Sequence, residues 1–506
     1  MMPLDVEILL EDDALRLLIE ITEGMDYREL EATYVRRESA DEATAKQLFQ
    51  LIICGIMNGK TSLRELRDAC KTDLRMIYLL HGKKVPSHER FGSFIREHLA
   101  GSVCENLFYQ LIQELIRRGA IELADLFVDG TKIEANANRY SFVWEKSVTK
   151  NEEKMNSQIE MKLMELQTEY CYFETPATLE GMLGYLHRRW AETGKERIHG
   201  RGCRKSKLQK DMELLEEYRT RRERYASHKS TLQGRSSYSK TDKDATFMRM
   251  KEDHMKNGQL KPGYNLQLGV EGEFVVTAML FPDRSDTLTL LPLLRNLEKK
   301  LGKLPDRTTA DAGYESEENY KGLEDLGIEA YIKPTNYEKN KSRKKDPFKA
   351  ENMPYDEQTD SFTCPAGKQL TLNTTKQVKS KSGYMSEVSK YRCSFCMDCP
   401  LKAQCTKSKT GRTIQRSKVF WKYREEMTER IASEMGKQLR LNRSIQSEGT
   451  FGVLKQDWGF RRFLRRGKTN VFTETLLYLF AFNVYKLHTK TSRQIEGVIL
   501  HKLTAA

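Results

Sequence analysis

The sequence predicts an α/β core, a mixed sheet with flanking helices, preceded by an all-α segment and enlarged by a small cysteine-rich insertion. Three observations predict it. Apolar residues recur at helical spacing up to Ile121 and then change period. Strand and helix signals alternate from Tyr264 to Pro334. Five of the ten cysteines, Cys364, Cys393, Cys396, Cys399 and Cys405, crowd one 42-residue window. A chain of 506 residues exceeds one hydrophobic core and calls for several domains. The expected division is a helical segment over 1–120, the core over 121–345 and 425–490, the cysteine-rich insertion over 346–424, and a tail over 491–506. A charged helical insertion is expected inside the core, over 145–245.

The N-terminal part reads as short helices with tight turns. Leu48, Leu51, Ile52 and Met57 form one apolar stripe, and Ser62 with Glu65 makes a capping box before Leu66 and Ala69. A further short helix covers Leu74–Leu79, and Ser87 can cap a helix bearing Phe91, Phe94 and Ile95. Such an arrangement suits a helix-turn-helix DNA-binding module or a helical packing domain.

After Ile121, LADLFVDGTKIEAN reads as an apolar strand that ends at Asp129 before a glycine turn. Met155, Ile159, Leu163, Leu166 and Tyr170 make an amphipathic stripe, and His187–Lys229 is rich in Arg and Lys. That run is either a DNA-tracking arm or a solvated helical hairpin. YNLQLGVEGEFVVTAMLF then reads as a hairpin turning at Gly272, LTLLPLLRNLEKKLG as a helix, and RTTADAGY as a strand ending at Asp311. A helix to Gly327 and the strand IEAYIKP follow. Beyond the cysteines, Glu425–Glu448 reads as helix and Val471–Leu487 as an apolar packing helix.

Composition narrows function. There are 85 Lys and Arg against 72 Asp and Glu, a formal charge of +13, which favours polyanionic partners. No basic leader opens the chain, the apolar stretch LFQLIICGIM from Leu48 is too short to span a bilayer, and VFTETLLYLFAFNVY from Val471 is interrupted by Thr473, Glu474 and Asn483, so a cytoplasmic protein with no membrane partner is expected. In that compartment clustered cysteines point to metal rather than disulfides. Cys54, Cys70, Cys104, Cys171 and Cys203 are scattered.

Asp129 and Asp311 at strand ends, with Glu448 in a helix, are three carboxylates able to converge. Such oxygen ligands suit two Mg²⁺ ions (or Mn²⁺) that clamp the attacking and leaving oxygens of a phosphoryl displacement. Asp125, Glu134, Asp242, Asp244, Asp283 and Asp286 read as turn formers or caps, and His88 and His254 carry no metal-ligand spacing.

The passages LFVDGTKIEANANRY, TTADAGYESEENY and SEGTFGVLKQDWGFRRFLRRG, with the cysteine pattern, resemble a bacterial insertion-sequence transposase of the DDE class. The resemblance is to the branch with a ribonuclease-H-like catalytic domain and a cysteine-rich insertion before the catalytic Glu. It implies that Asp129, Asp311 and Glu448 are the catalytic acids, Asp129 bridging two metal ions and the others holding one each. It implies that Lys455 helps hold the element end. The family's Y-x2-R-x3-E-x6-K spacing is met from Glu448 to Lys455, whereas Ser444 stands at the Arg position and Arg443 lies one residue earlier.

The turn Arg461, Arg462, Arg465, Arg466 and Lys468, interleaved with Trp458, Phe460 and Phe463, suits DNA backbone contact with base stacking. A structural Zn²⁺ is expected on Cys393, Cys396, Cys399 and Cys405, with Cys364 as alternative ligand. The function implied is cleavage and strand transfer at terminal inverted repeats of double-stranded DNA, by a homodimer or higher assembly near the nucleoid. The alternatives are a nuclease or resolvase of the same fold that cuts without joining, and a domesticated zinc-containing DNA-binding protein.

Overall fold

The computed structural model describes residues 9–34, 41–174, 176–200, 204–250, 259–340, 346–495, 497–498 and 500–502. Cys203, His254 and the basic stretch Lys341–Lys345 lie outside the described residues. The chain is mixed α/β and divides into two compact units, one of residues 1–133 with 265–506 and the other of 134–264.

Thirteen strands are described, in chain order: β1 Asp125–Glu134, β2 Phe142–Trp144, β3 Ser237–Ser239, β4 Thr246–Arg249, β5 Leu260–Glu271, β6 Phe274–Phe281, β7 Arg307–Ala310, β8 Glu329–Ile332, β9 Tyr355–Asp356, β10 Ser361–Thr363, β11 Gln369–Lys379, β12 Met385–Cys393 and β13 Thr413–Arg416. In the first unit the central sheet runs β6-β5-β1-β7-β8. β5 and β6 are antiparallel, through a turn at Gly272 and Glu273 that both take positive φ. β7 lies parallel to β1 on one side and to β8 on the other. Buried Glu271 accepts from the amides of Leu123, Ala124 and Asp125, which fixes where β1 begins.

Helical residues before β1 belong to this same unit. Thr44 with Gln47, and Ser62 with Glu65, form capping boxes opening Ala45–Met57 and Leu63–Thr72. Asp73 ends the second of these and its side chain caps Leu74–Leu80. The long helix Lys468–Ser492 packs on Ala45–Met57, on Ser102–Arg117 and on β6, with Phe49 edge-on to Phe480. Its polar residues have places: Asn483 accepts from the Val275 amide and donates to the Val275 carbonyl, at 2.9 and 2.8 Å.

A second sheet, β13-β12-β11-β10-β9, is antiparallel and lies between β8 and the helix Lys418–Ala432 in sequence. Ile431 on that helix and Leu439 on Glu434–Arg443 pack against Phe127 and Tyr331 of the central sheet. This packing sets the helical segment that carries Arg443 and Glu448 beside β1.

The second unit holds helices Glu145–Tyr170, Leu179–Glu192 and Lys207–Leu232 around Met155, Leu166, Met182, Leu186, Met212 and Leu215. The basic run His187–Lys229 is therefore mostly a packed helical pair, with Glu216 taking both His187 and Arg197. Within this unit β4 pairs with the first four residues of β5. Among the described residues, no helix is long and apolar enough to cross a membrane.

Two expectations need correction here. The strand through Asp129 does not stop there but continues to Glu134, with Gly130 inside it. Asp125 and Glu134 are not turn formers: they lie on β1 and pair with Arg307 and Lys261 respectively.

Candidate functional site

β1 and β7 place two acids side by side. Val128 is in register with Ala310, so the next residues, Asp129 within β1 and Asp311 just past the end of β7, are neighbours. Asp129 is buried, and its Oδ1 accepts from the Gly130 amide at 2.8 Å. Asp311 starts a short 3₁₀ turn, its Oδ1 accepting from the Gly313 amide at 2.8 Å.

Glu448 is an exposed side chain that approaches the two aspartates through Arg443. The Arg443 guanidinium donates to Asp129 Oδ2 at 3.1 Å and stands 3.9 Å from Glu448 Oε1. Arg443 is five residues before Glu448, one more than an α-helical turn aligns. The segment Ser444–Glu448 is a π turn, in which hydrogen bonds run from i to i+5, and the extra residue restores the shared face. A second π turn spans Val453–Asp457.

Asp286 joins the acids, which the sequence reading assigned to turns and caps. It does open a 3₁₀ turn, yet its Oδ1 accepts from Asn265 Nδ2 at 2.7 Å and Gln267 Nε2 at 2.9 Å. A Cβ built at Gly313 would stand 2.9 Å from Asp311 Oδ1 and 3.3 Å from Asp286 Oδ2, so the two carboxylates flank the same small space. Tyr314, fully buried, donates to Gln267 Oε1. Burial pushes its phenol well above the usual range; the negative charges of Asp286, Asp129 and Asp311 push it further, and only Arg443 opposes them. A Cβ at Gly130 would collide with the side-chain amide of Gln267, so a larger residue there has to push that amide off Asn265 and Asp286. The signal for this network was present in YNLQL, where polar Asn265 and Gln267 alternate inside an apolar strand and so share one buried face.

The residues expected to hold DNA separate into two groups. Arg461, Arg462, Arg466 and Lys468 are exposed, on the stretch between Trp458 and the last helix. Lys455 is buried, within the second π turn. Phe460 and Phe463 are core residues, Phe460 stacked on Tyr478, and half-buried Trp458 packs near Tyr478, Phe482 and Tyr485. They anchor the basic turn. Arg465 is drawn inward beside Glu474, whose carboxylate accepts from the amides of Leu464 and Arg465.

The five clustered thiols, Cys364, Cys393, Cys396, Cys399 and Cys405, line one small cavity of about 20 Å³ in the second sheet, together with Arg412 and Phe348. No disulfide joins the cysteines among the described residues. Also among the described residues, no three His, Cys, Asp or Glu already stand as a group able to hold a metal ion. At the acidic pocket the hard oxygen donors suit a divalent cation, and the Arg443 guanidinium between Asp129 and Glu448 shows that positive charge is accommodated there.

No curated protein matches the chain significantly. One solved structure, a piggyBac transposase synaptic complex with hairpin DNA, is similar at 12% identity over 98% of this chain and 79% of that one, with a TM-score of 0.30. Residues 363–488, from the first clustered thiol through Glu448 and the basic turn into the last helix, match the family model of a transposase DDE domain, which supports a DDE transposase.

Proposed function

We propose that this protein is a DNA transposase of the DDE class with a ribonuclease-H-like core, which binds the terminal inverted repeats of an insertion sequence and cleaves and transfers DNA strands there. The observation that carries the reading is the register of β1 and β7, which sets Asp129 beside Asp311, with Arg443 linking Asp129 to Glu448. The strand order β6-β5-β1-β7-β8, third-second-first-fourth-fifth along the core, supports the ribonuclease-H-like assignment.

Asp129, Asp311 and Glu448 would hold Mg²⁺ or Mn²⁺, which supplies Lewis-acid stabilisation of the attacking and leaving oxygens at a phosphate. Asp286 keeps the Asn265–Gln267–Tyr314 network in place behind them. Exposed Arg461, Arg462, Arg466 and Lys468 supply charge for the DNA backbone, and the helices of 45–117 would bind the element end. Double-stranded DNA is the partner, taken by a homodimer or larger assembly on paired ends in a bacterial cytoplasm. The thiol cavity is read as a structural Zn²⁺ site.

The test is product analysis with the full chain, Mg²⁺, a duplex carrying the element's own terminal repeats, and a target plasmid. Joined products are expected. Cleaved but unjoined ends would identify a nuclease instead, and specific binding without either product would identify a DNA-binding protein.

A further inference from the structure

One face of the second sheet is basic and turned to solvent, and we propose that it is a second DNA-binding surface, which holds the phosphate backbone of duplex DNA irrespective of base sequence. The proposal rests on the reading of duplex DNA as the partner and gives it a surface other than the Arg461–Lys468 turn.

Positive charge is concentrated in this part of the chain. Residues 369–416 hold ten Lys and Arg against Glu387 and Asp398, a surplus of eight where the whole chain has +13. Strand alternation then sorts side chains by face. Tyr391 pairs with Ile414 and Cys393 with Leu370, and all four are buried with Phe362 on the inner face. The residues between them point the other way. Arg392 pairs with Thr413 and Thr371, Lys390 pairs with Gln415 and Thr374, and Lys376 lies two residues beyond Thr374. Arg392, Lys376, Thr371, Thr413 and Gln415 are exposed, and Lys390 is half-buried. Glu387, the one acid on β10–β13, shares the face of Ser389 and Tyr391 instead.

These cations are available in a way that those of the His187–Lys229 run are not. There Arg197 pairs with Glu216, Lys205 with Glu213, Lys207 with Glu169 and Lys229 with Glu152. Among the described residues, Lys376, Lys390 and Arg392 are in no ion pair. A phosphate therefore meets them without first displacing a carboxylate, and the hydroxyl and amide groups of Thr371, Thr413 and Gln415 add donors that phosphate oxygens accept.

The face is also held in place. Pairing with β13 stops at Ser389 and pairing with β10 at Thr371, so β11 and β12 run on as a two-stranded ribbon, a form in which strands engage DNA. At its far end Tyr384 Oη donates to Glu317 Oε1 at 3.1 Å and Ser382 Oγ donates to Glu318. Ser417 Oγ, directly after β13, donates to the other oxygen of Glu317. Glu317 opens the helix Glu317–Asp325, which follows the turn begun by Asp311. The ribbon is thereby tied to the segment that leaves a proposed catalytic acid.

The test compares the full chain with the triple variant Lys376→Gln, Lys390→Gln, Arg392→Gln. A second variant of equal charge change, Lys210→Gln, Arg219→Gln, Arg222→Gln, lies on the helix Lys207–Leu232. Fluorescence anisotropy over a salt series measures binding to a duplex of unrelated sequence. The slope of log affinity against log salt should fall by about two to three in the sheet variant, at roughly 0.9 per lost phosphate contact, and stay at the wild-type value in the other. Preference for a duplex carrying the terminal repeats should be unchanged, because backbone contacts do not read sequence. An unchanged slope in the sheet variant, or an equal fall in both, overturns the surface while leaving DNA binding by the rest of the chain. A lost preference overturns its indifference to sequence. Should the triple variant fail to fold, Lys376→Gln decides alone, with a fall of about 0.9 expected and no fall overturning the surface. Wild type that binds no duplex overturns the reading of DNA as the partner itself.

Discussion

Arg443 donates to Asp129 at 3.1 Å although 314 positions separate them in sequence. Both side chains are largely buried, so removing the guanidinium withdraws one positive charge from beside Asp129, in the neighbourhood of Asp311 and Asp286. Arg443→Ala should lower stability by about 1–3 kcal/mol in metal-free buffer. Added Mg²⁺ or Mn²⁺ should recover part of that loss, because a divalent ion meets the same negative charge. Thermal unfolding with and without the ion measures both, and an equal deficit in the two conditions would argue against a cation site there.

Asp129→Asn and Glu448→Gln should abolish cleavage while preserving end binding, since each keeps its shape and loses a charge. Gel-shift affinity and cleavage, measured on one duplex, separate the two effects. Near-normal cleavage by either variant in Mg²⁺ would remove that acid from the catalytic set.

Replacing Arg461, Arg462 and Arg466 with Ala should weaken binding to any duplex and flatten its salt dependence by roughly 0.9 per lost phosphate contact. These side chains are exposed, whereas Lys455 is buried. Lys455→Ala should therefore change the melting temperature more than the slope of log affinity against log salt.

Gly130→Ala should destabilise by about 1–3 kcal/mol, the range for forcing atoms into a packed interior. The clash falls on Gln267 Nε2, so Gly130→Ala with Gln267→Ala should lose less than the sum of the two single losses. Chemical denaturation of the four proteins of this cycle gives the coupling directly.

Glu474 provides a pH test. Burial raises its carboxyl above the usual 4.5, against the pull of the Leu464 and Arg465 amides and the Arg465 charge. An acid whose folded pKa is raised contributes stability below pH 4.5, and that contribution fades as pH rises through the folded value. Glu474→Gln, which cannot ionise, should lose this decline, and the difference between the two unfolding free energies should change across that window. Parallel curves for the two proteins would show that Glu474 does not titrate differently in the folded chain.

Much of the architecture was legible because local chemistry set it. The Ser62–Glu65 box and the hairpin at Gly272 depend on neighbours a few residues away. The acids Asp129 and Asp311 were legible for the same reason, as polar residues following apolar strand runs. Three things were hidden. A search for a 3.6-residue period cannot see a π turn, so Arg443 looked misplaced, and nothing in the sequence showed that Lys455 is buried. Asp286 resembles any loop acid until Asn265 and Gln267 hold it against the pocket. Phe460 and Phe463 sit among arginines in sequence, and only the fold turns their rings to Tyr478 and the core while the guanidinium groups of Arg461 and Arg462 stay outside.

Asn483 has a consequence for assembly. β6 is the last strand on its side of the central sheet, and its outward-facing backbone would ordinarily offer donors and acceptors to another chain. The Asn483 amide takes both of those groups at Val275, and the helix Lys468–Ser492 lies along the strand. At Val275, therefore, this edge of the sheet has no free backbone groups to offer another strand.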